Sequence, residues 1–280
     1  MPLTVDKLLN AMATTSTRLV IDKGSIGAQI AGQYCSMWRA AGQPQVGAIP
    51  TVAATCNDTT VGGFSIPQQT APVRSFLAYL EWACSNNTMT LEAHDRLAAN
   101  GNCNGTLTTS QSIALDLQTM GGTDNISTRI GDADYSDVQW WLEWYSATGA
   151  TTVNATVAVT YGDGSTGNLS LVPISANRPA SSAINLNVYR PAGVNAFIRA
   201  VNSITLSAST GTAGAFGVTA TRLRGSVFAP VANCKYGCNW ADLPLNEIPA
   251  KACMMLFVLP STTSSGTVRG GGKVSHIDPT

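Results

Sequence analysis

The sequence predicts a mainly β chain with a helical N-terminal part (α+β), its body an antiparallel β-sandwich of jelly-roll-like type. Three observations predict it. Residues from about 104 to 230 hold several short stretches in which apolar and polar residues alternate. Turns rich in Gly, Ser, Thr and Asn separate those stretches at regular spacing, the mark of sandwiches. No strand–helix alternation of the kind that builds a doubly wound sheet occurs there. The expected division is a helical and extended arm region over 1–103 and a sandwich domain over 104–280.

Within the first region, Thr4 is placed to cap a short helix running to Met12. From Ser25 to Ala41, residues Ile26, Ile30, Tyr34, Met37 and Trp38 fall near a 3.6-residue period, which predicts an amphipathic helix ended by Gly42 and Pro44. The stretch from Gln45 to Pro72 is rich in Gly, Pro, Thr and Gln. Irregular segments of that length in compact domains usually serve a purpose, so an extended arm lying across another surface is expected. Pro72 then opens a predicted helix with Val73, Phe76, Leu77, Leu80 and Cys84 as its apolar stripe. Asn86-Asn87 breaks it, and Leu91 to Ala99 forms a second helix, giving a helical hairpin.

In the second region, Val138 to Tyr145 is dense in aromatics, and Val153, Ala155, Val157 and Val159 alternate with polar residues. Tyr161-Gly162-Asp163-Gly164-Ser165 makes a tight turn to a hairpin partner over 168–174. Further strands are expected near 183–189, 197–207, 216–224 and 254–259. Val268 to Val274, with three central glycines, reads as a last edge strand carrying a bulge.

The charge content is unusual. Only 11% of the 280 residues are Asp, Glu, Lys or Arg, sixteen basic against sixteen acidic, where roughly 25% is ordinary for a soluble domain. With so little net charge, copies are not held apart by repulsion. The exterior therefore reads as one made to be covered by neighbours, with a charge-poor secreted β domain as the plainer alternative. Neutrality argues against a nucleic-acid partner, which would call for a basic patch. The longest apolar run, 252–259, is strand-sized, and no secretory signal is visible at the N-terminus. No membrane partner is expected.

Candidate chemistry is sparse. The seven cysteines are scattered, and Cys234-Lys-Tyr-Gly-Cys238 lacks a second close pair to complete a zinc site. Buried thiols are the favoured reading, with oxidation of Cys234 and Cys238 left open. His94 lies one residue from Asp95 and two from Glu92 on a predicted helix, where those spacings point them to different faces and rule out a dyad, so a solvent-facing or locally bonded histidine is expected. His276 lies near the C-terminus. Asp132, Asp134 and Asp137 alternate like a calcium loop, but Asp137 stands where the loop needs glycine. Gly270-Gly271-Gly272-Lys273 lacks phosphate-loop spacing. The expectation is no enzyme, no metal and no cofactor.

The candidate binding residues are Trp140, Trp141, Trp144 and Tyr145. Neighbouring residues on a strand face opposite sides, so one of Trp140 and Trp141 should point outward. Burial against a partner subunit is preferred for it, with a sugar-stacking platform as the alternative.

The stretches Ser75–Trp82, Asp134–Trp141, Ala215–Arg222 and Val268–Lys273 resemble those of uncharacterised structural proteins from tailed-phage virion modules, over most of the chain. These motifs carry no chemistry. The resemblance implies a multicopy virion protein assembled in the host cytoplasm, foremost a capsid decoration or cement protein bound to itself and to the major capsid or other virion proteins. A neck or tail component is the alternative, as is a carbohydrate- or host-receptor-binding module.

Overall fold

The computed structural model describes residues 4–124 and 126–280. Helix α1 (Val5–Thr14) forms where Thr4 predicts it, the Thr4 hydroxyl accepting from the Lys7 amide at 3.3 Å. Ten longer strands follow: Ser16–Lys23 (β1), Arg74–Cys84 (β2), Met89–Asn104 (β3), Gln111–Asp116 (β4), Val138–Trp144 (β5), Val153–Tyr161 (β6), Ile198–Leu206 (β7), Ala215–Ala229 (β8), Met254–Pro260 (β9) and Val268–Ile277 (β10).

These strands and several two- to four-residue ones build three antiparallel sheets. The first runs Tyr236–Asn239, β2, β10, β1, Gly42–Gln43. The central one runs Ala183–Asn185, β5, β8, β3, β9, Cys35–Ser36, and the third runs Thr166–Asn168, β6, β7, β4. The antiparallel sandwich body that the alternation predicts is therefore present, extended by a third sheet.

The central sheet packs against both others. Leu77, Leu80 and Trp82 of β2 and Val268 and Val274 of β10 meet Leu91 and Ala93 of β3 and Leu256 and Val258 of β9 in one core. Trp140, Leu142 and Trp144 of β5 and Phe216 and Val218 of β8 meet Val157, Val159, Val201 and Ile204 of the third sheet in another. Along β9, Met254, Leu256 and Val258 join the first core. Met255 and Phe257 join a further cluster with Trp38, Cys56 and Trp141. Strand alternation thus buries both faces of the central sheet.

The second of those faces is covered by the chain's own segment 34–57. The Trp38 indole N–H donates to the Ala48 carbonyl at 2.8 Å, the Gly101 amide to Pro50 at 2.7 Å, and the Cys56 amide to Leu97 at 2.9 Å. Ala54 and Thr55 pair with Ala99 and Ala98 of β3. The predicted arm therefore lies on its own central sheet at these points. Gly47 sits directly on the Trp38 ring: a Cβ there would come within 2.0 Å of it. Gly47→Ala is expected to destabilise the fold by about 1–3 kcal/mol through this overpacking, measurable as a lower denaturation midpoint with an unchanged slope.

Three expectations for residues 1–103 need correction. Residues 25–41 form no α-helix; only Met37–Arg39 makes a 3-10 turn. The predicted helical hairpin is a β-hairpin, β2 and β3. Nearly every residue of β3 is buried, polar ones included, so its sequence lacks the apolar–polar alternation that marks a half-buried strand. The division at 103/104 falls inside β3, which pairs with β8 and β9 from the C-terminal part. Strand β10 is also not an edge strand, since β2 and β1 flank it, although its register does shift between Lys273 and Val274. Its glycines allow that central place: a Cβ on Gly270 would lie 2.1 Å from the Glu81 carbonyl oxygen.

Candidate functional site

The four residues singled out as partner contacts are all interior. Trp140 and Trp141 are both fully buried, and Trp144 and Tyr145 are at most 8% exposed. Trp140 and Trp141 do face opposite sides, but each side is a packed layer. The Trp140 indole N–H donates to Ile198 of the third sheet at 2.8 Å. Trp141 stacks on Phe257 with centroids 4.6 Å apart, and its N–H reaches the Thr221 hydroxyl at 2.8 Å. The outward tryptophan expected from strand alternation is absent because β5 is a two-sided interior strand. Interface contact and sugar stacking by these rings both require an exposure they lack.

Around Trp141 lies a buried polar cluster. Asp95 of β3 accepts both ends of the Arg129 guanidinium, at 2.6 and 3.0 Å, and also the Cys253 amide at 2.9 Å. Arg224 approaches the same carboxylate at 3.5 Å. Arg129 also donates to the Cys56 and Arg96 carbonyls at 2.7 and 2.9 Å. Arg96, stacked 4.3 Å over the Trp38 ring, donates to Glu143 at 3.1 Å and Tyr145 at 3.2 Å. Glu143 also accepts from Thr219 at 2.6 Å. Burial works against the charges of Arg96 and Arg129, yet Glu143 and Asp95 respectively hold both pKa values above the ordinary arginine value. Burial lowers Arg224 to about 10 despite Asp95.

His94 belongs to this cluster and is fully buried, not solvent-facing. It sits 2.9 Å from Glu92 and 3.1 Å from Thr221 through its two ring nitrogens. On a strand, residues two apart share a face, so the spacing that separates them on a helix unites them here. Tyr34 donates to Glu92 at 3.1 Å, and burial followed by that carboxylate pushes its pKa up to about 12.

This arrangement joins the arm, the central sheet and Arg129. The neighbouring thiols are unsuited to nucleophilic work, since burial raises the pKa of Cys56 and Cys253. A second titratable pairing lies elsewhere. His276 meets Ser75 at 2.9 Å and Thr17 at 2.8 Å, so a hydroxyl stands where a catalytic triad would put a carboxylate. Burial lowers the His276 pKa.

In the acidic loop, Asp137 is held by Arg222 at 2.6 Å and Asp134 accepts the Ser136 amide at 2.9 Å. No group of three or more His, Cys, Asp or Glu residues able to hold a metal ion is present among the described residues. All seven cysteines are free, with Cys234 exposed. No helix among the described residues is long and apolar enough to cross a membrane.

Lys23 is a further buried cation. It is 1% exposed and donates to the Ala40 and Pro44 carbonyls at 3.0 and 2.6 Å, tying the arm's start to β1. Burial lowers its pKa from 10.5 to about 8. The folded chain therefore releases this proton before the unfolded chain does. Between about pH 8 and 10.5 the unfolded state holds more protons at this site, so this group's contribution to stability rises with pH. Denaturation of wild type and Lys23→Met across that window should show wild type gaining on the variant. A constant difference would contradict the assignment.

The buried charges were the part of the site that sequence reasoning missed. Glu92, His94, Asp95 and Arg96 crowd four ionisable residues into five positions of a charge-poor chain, and that clustering was the available signal. Arg129, Arg178 and Arg224 have no comparable local mark.

No family model matches the chain, and no curated protein matches it. Weakly similar solved structures come from infectious bursal disease virus. The structure of its Gt strain is 11% identical, with 94% of this chain and 81% of that chain covered and a TM-score of 0.18. Its VP2 subviral particle is 11% identical, covers 94% and 79%, and has a TM-score of 0.16. Its Gx strain is 10% identical, covers 95% and 80%, and has a TM-score of 0.17. At such scores the likeness carries no argument about function.

Proposed function

We propose that this chain is a multicopy structural protein of a virion, whose exterior is completed by neighbouring subunits rather than by solvent. The observation that carries this reading is the exterior's poverty in charge. Of the sixteen basic and sixteen acidic residues, eight are buried: Lys23, Glu92, Asp95, Arg96, Arg129, Glu143, Arg178 and Arg224. That leaves twenty-four charged side chains for the exterior of a 280-residue chain, still well under what is ordinary for a soluble domain. Little electrostatic repulsion opposes close packing of copies.

The tailed-phage resemblance supports a capsid decoration or cement role, with self and the major capsid protein as partners and a neck or tail position as the second form. The reading assigns the chain no catalysis. Hydrogen bonds that tie segment 34–57 to the central sheet, such as Tyr34 to Glu92 and the Cys56 amide to Leu97, suit a subunit that must hold its shape under load. Quantifying the chain by mass spectrometry in purified intact particles tests this. Many copies per particle are expected; absence from the particles would overturn it.

A further inference from the structure

Four buried arginines are present, and three of them have carboxylates: Arg96 has Glu143, while Arg129 and Arg224 share Asp95. The fourth, Arg178, has none among the described residues. It is 2% exposed and stacks 4.7 Å over the Trp144 ring. Its Nη2 donates to the Gln33 side-chain oxygen at 2.7 Å, and its Nε is buried with no hydrogen-bond partner. Burial lowers its pKa to about 10, so it stays charged at neutral pH. A buried guanidinium without an anion is costly and asks for one.

Arg178 lines a surface cavity of about 440 Å³ together with Gln33, Tyr34, Ser175, Asn185 and Tyr189. No acidic residue lines it. Three other cavities of similar size differ: each has an acidic residue as well as an arginine in its lining, Glu247 with Arg74, Asp58 with Arg18, and Asp137 with Arg222. The volume suits one small molecule. Hydroxyl and amide groups of Tyr189, Ser175 and Asn185 form its polar rim.

We propose that this cavity is a binding site for a small hydroxylated carboxylate of the sugar-acid class. The carboxylate takes the place of the Gln33 amide oxygen on Arg178, where a charged acceptor bonds more strongly than a neutral one. The ligand's hydroxyls are met by the amide and hydroxyl rim. No tryptophan platform is involved; Trp144 acts from below by orienting the guanidinium. The site goes beyond the structural role and does not depend on it.

The test is titration of the full chain with D-glucuronate, D-glucose and acetate, read by calorimetry. Arg178 is packed in the interior, so its replacement risks the fold. Gln33→Glu keeps the shape and supplies an internal carboxylate. Glucuronate is expected to bind in the millimolar range, at least about tenfold tighter than glucose or acetate. Gln33→Glu is expected to weaken glucuronate binding by about tenfold or more, and to raise Tm by about 2–4 °C as the new ion pair forms. Glucuronate binding no tighter than glucose or acetate would overturn the proposal. So would undiminished binding by a folded Gln33→Glu chain.

Discussion

Asp95→Ala is expected to lower the stability of the fold by about 3–5 kcal/mol, the largest effect of any single charge removal in this chain. The carboxylate accepts from Arg129 twice and from the Cys253 amide, and it neutralises Arg224 as well. Alanine would leave Arg129, which is fully buried, and Arg224 without the carboxylate they now share. The cost comes from the stranded partners more than from the lost bonds. Urea denaturation measures it directly. A loss under about 1 kcal/mol would mean that water or a rearranged side chain replaces the carboxylate.

Trp141→Ala is expected to cost about 3–5 kcal/mol, as for other large core side chains. The indole is stacked on Phe257, meets Tyr34 edge-on with centroids 4.8 Å apart, and donates to Thr221. Its removal opens a cavity beneath the arm and takes a donor from the Thr221 hydroxyl, which His94 also contacts. Leu171, which is 60% exposed, is the control: Leu171→Ala should change stability by no more than about 0.5 kcal/mol. The pair of measurements separates the two meanings of an aromatic-rich strand. A surface contact residue would leave the isolated chain's stability unchanged and weaken association only.

The sandwich was legible because its strands announce themselves by alternation and turn chemistry. Val153–Tyr161 lies where Val153, Ala155, Val157 and Val159 put it, and its hairpin partner returns through the Gly162–Gly164 turn. Strand β3 was not legible. Leu91, Ala93, Leu97, Ala98 and Ala99 are good helix formers in isolation, but here two packed layers override that propensity. The same misreading hid the site: with β3 taken as a helix, Glu92 and His94 fall on separate faces. The aromatic cluster was found by composition, yet its burial depends on a second covering layer. That layer is supplied by residues 34–57, far away in sequence and irregular in pattern.

Closure of the charge-poor exterior by other subunits predicts association in solution. Sedimentation velocity of the purified chain over a range of concentrations, alone and mixed with particle components, addresses it most directly. Discrete complexes of many copies, formed by the chain itself or on those components, are the predicted outcome. A single sharp monomer boundary at the highest concentration, unchanged in the mixture, would contradict it.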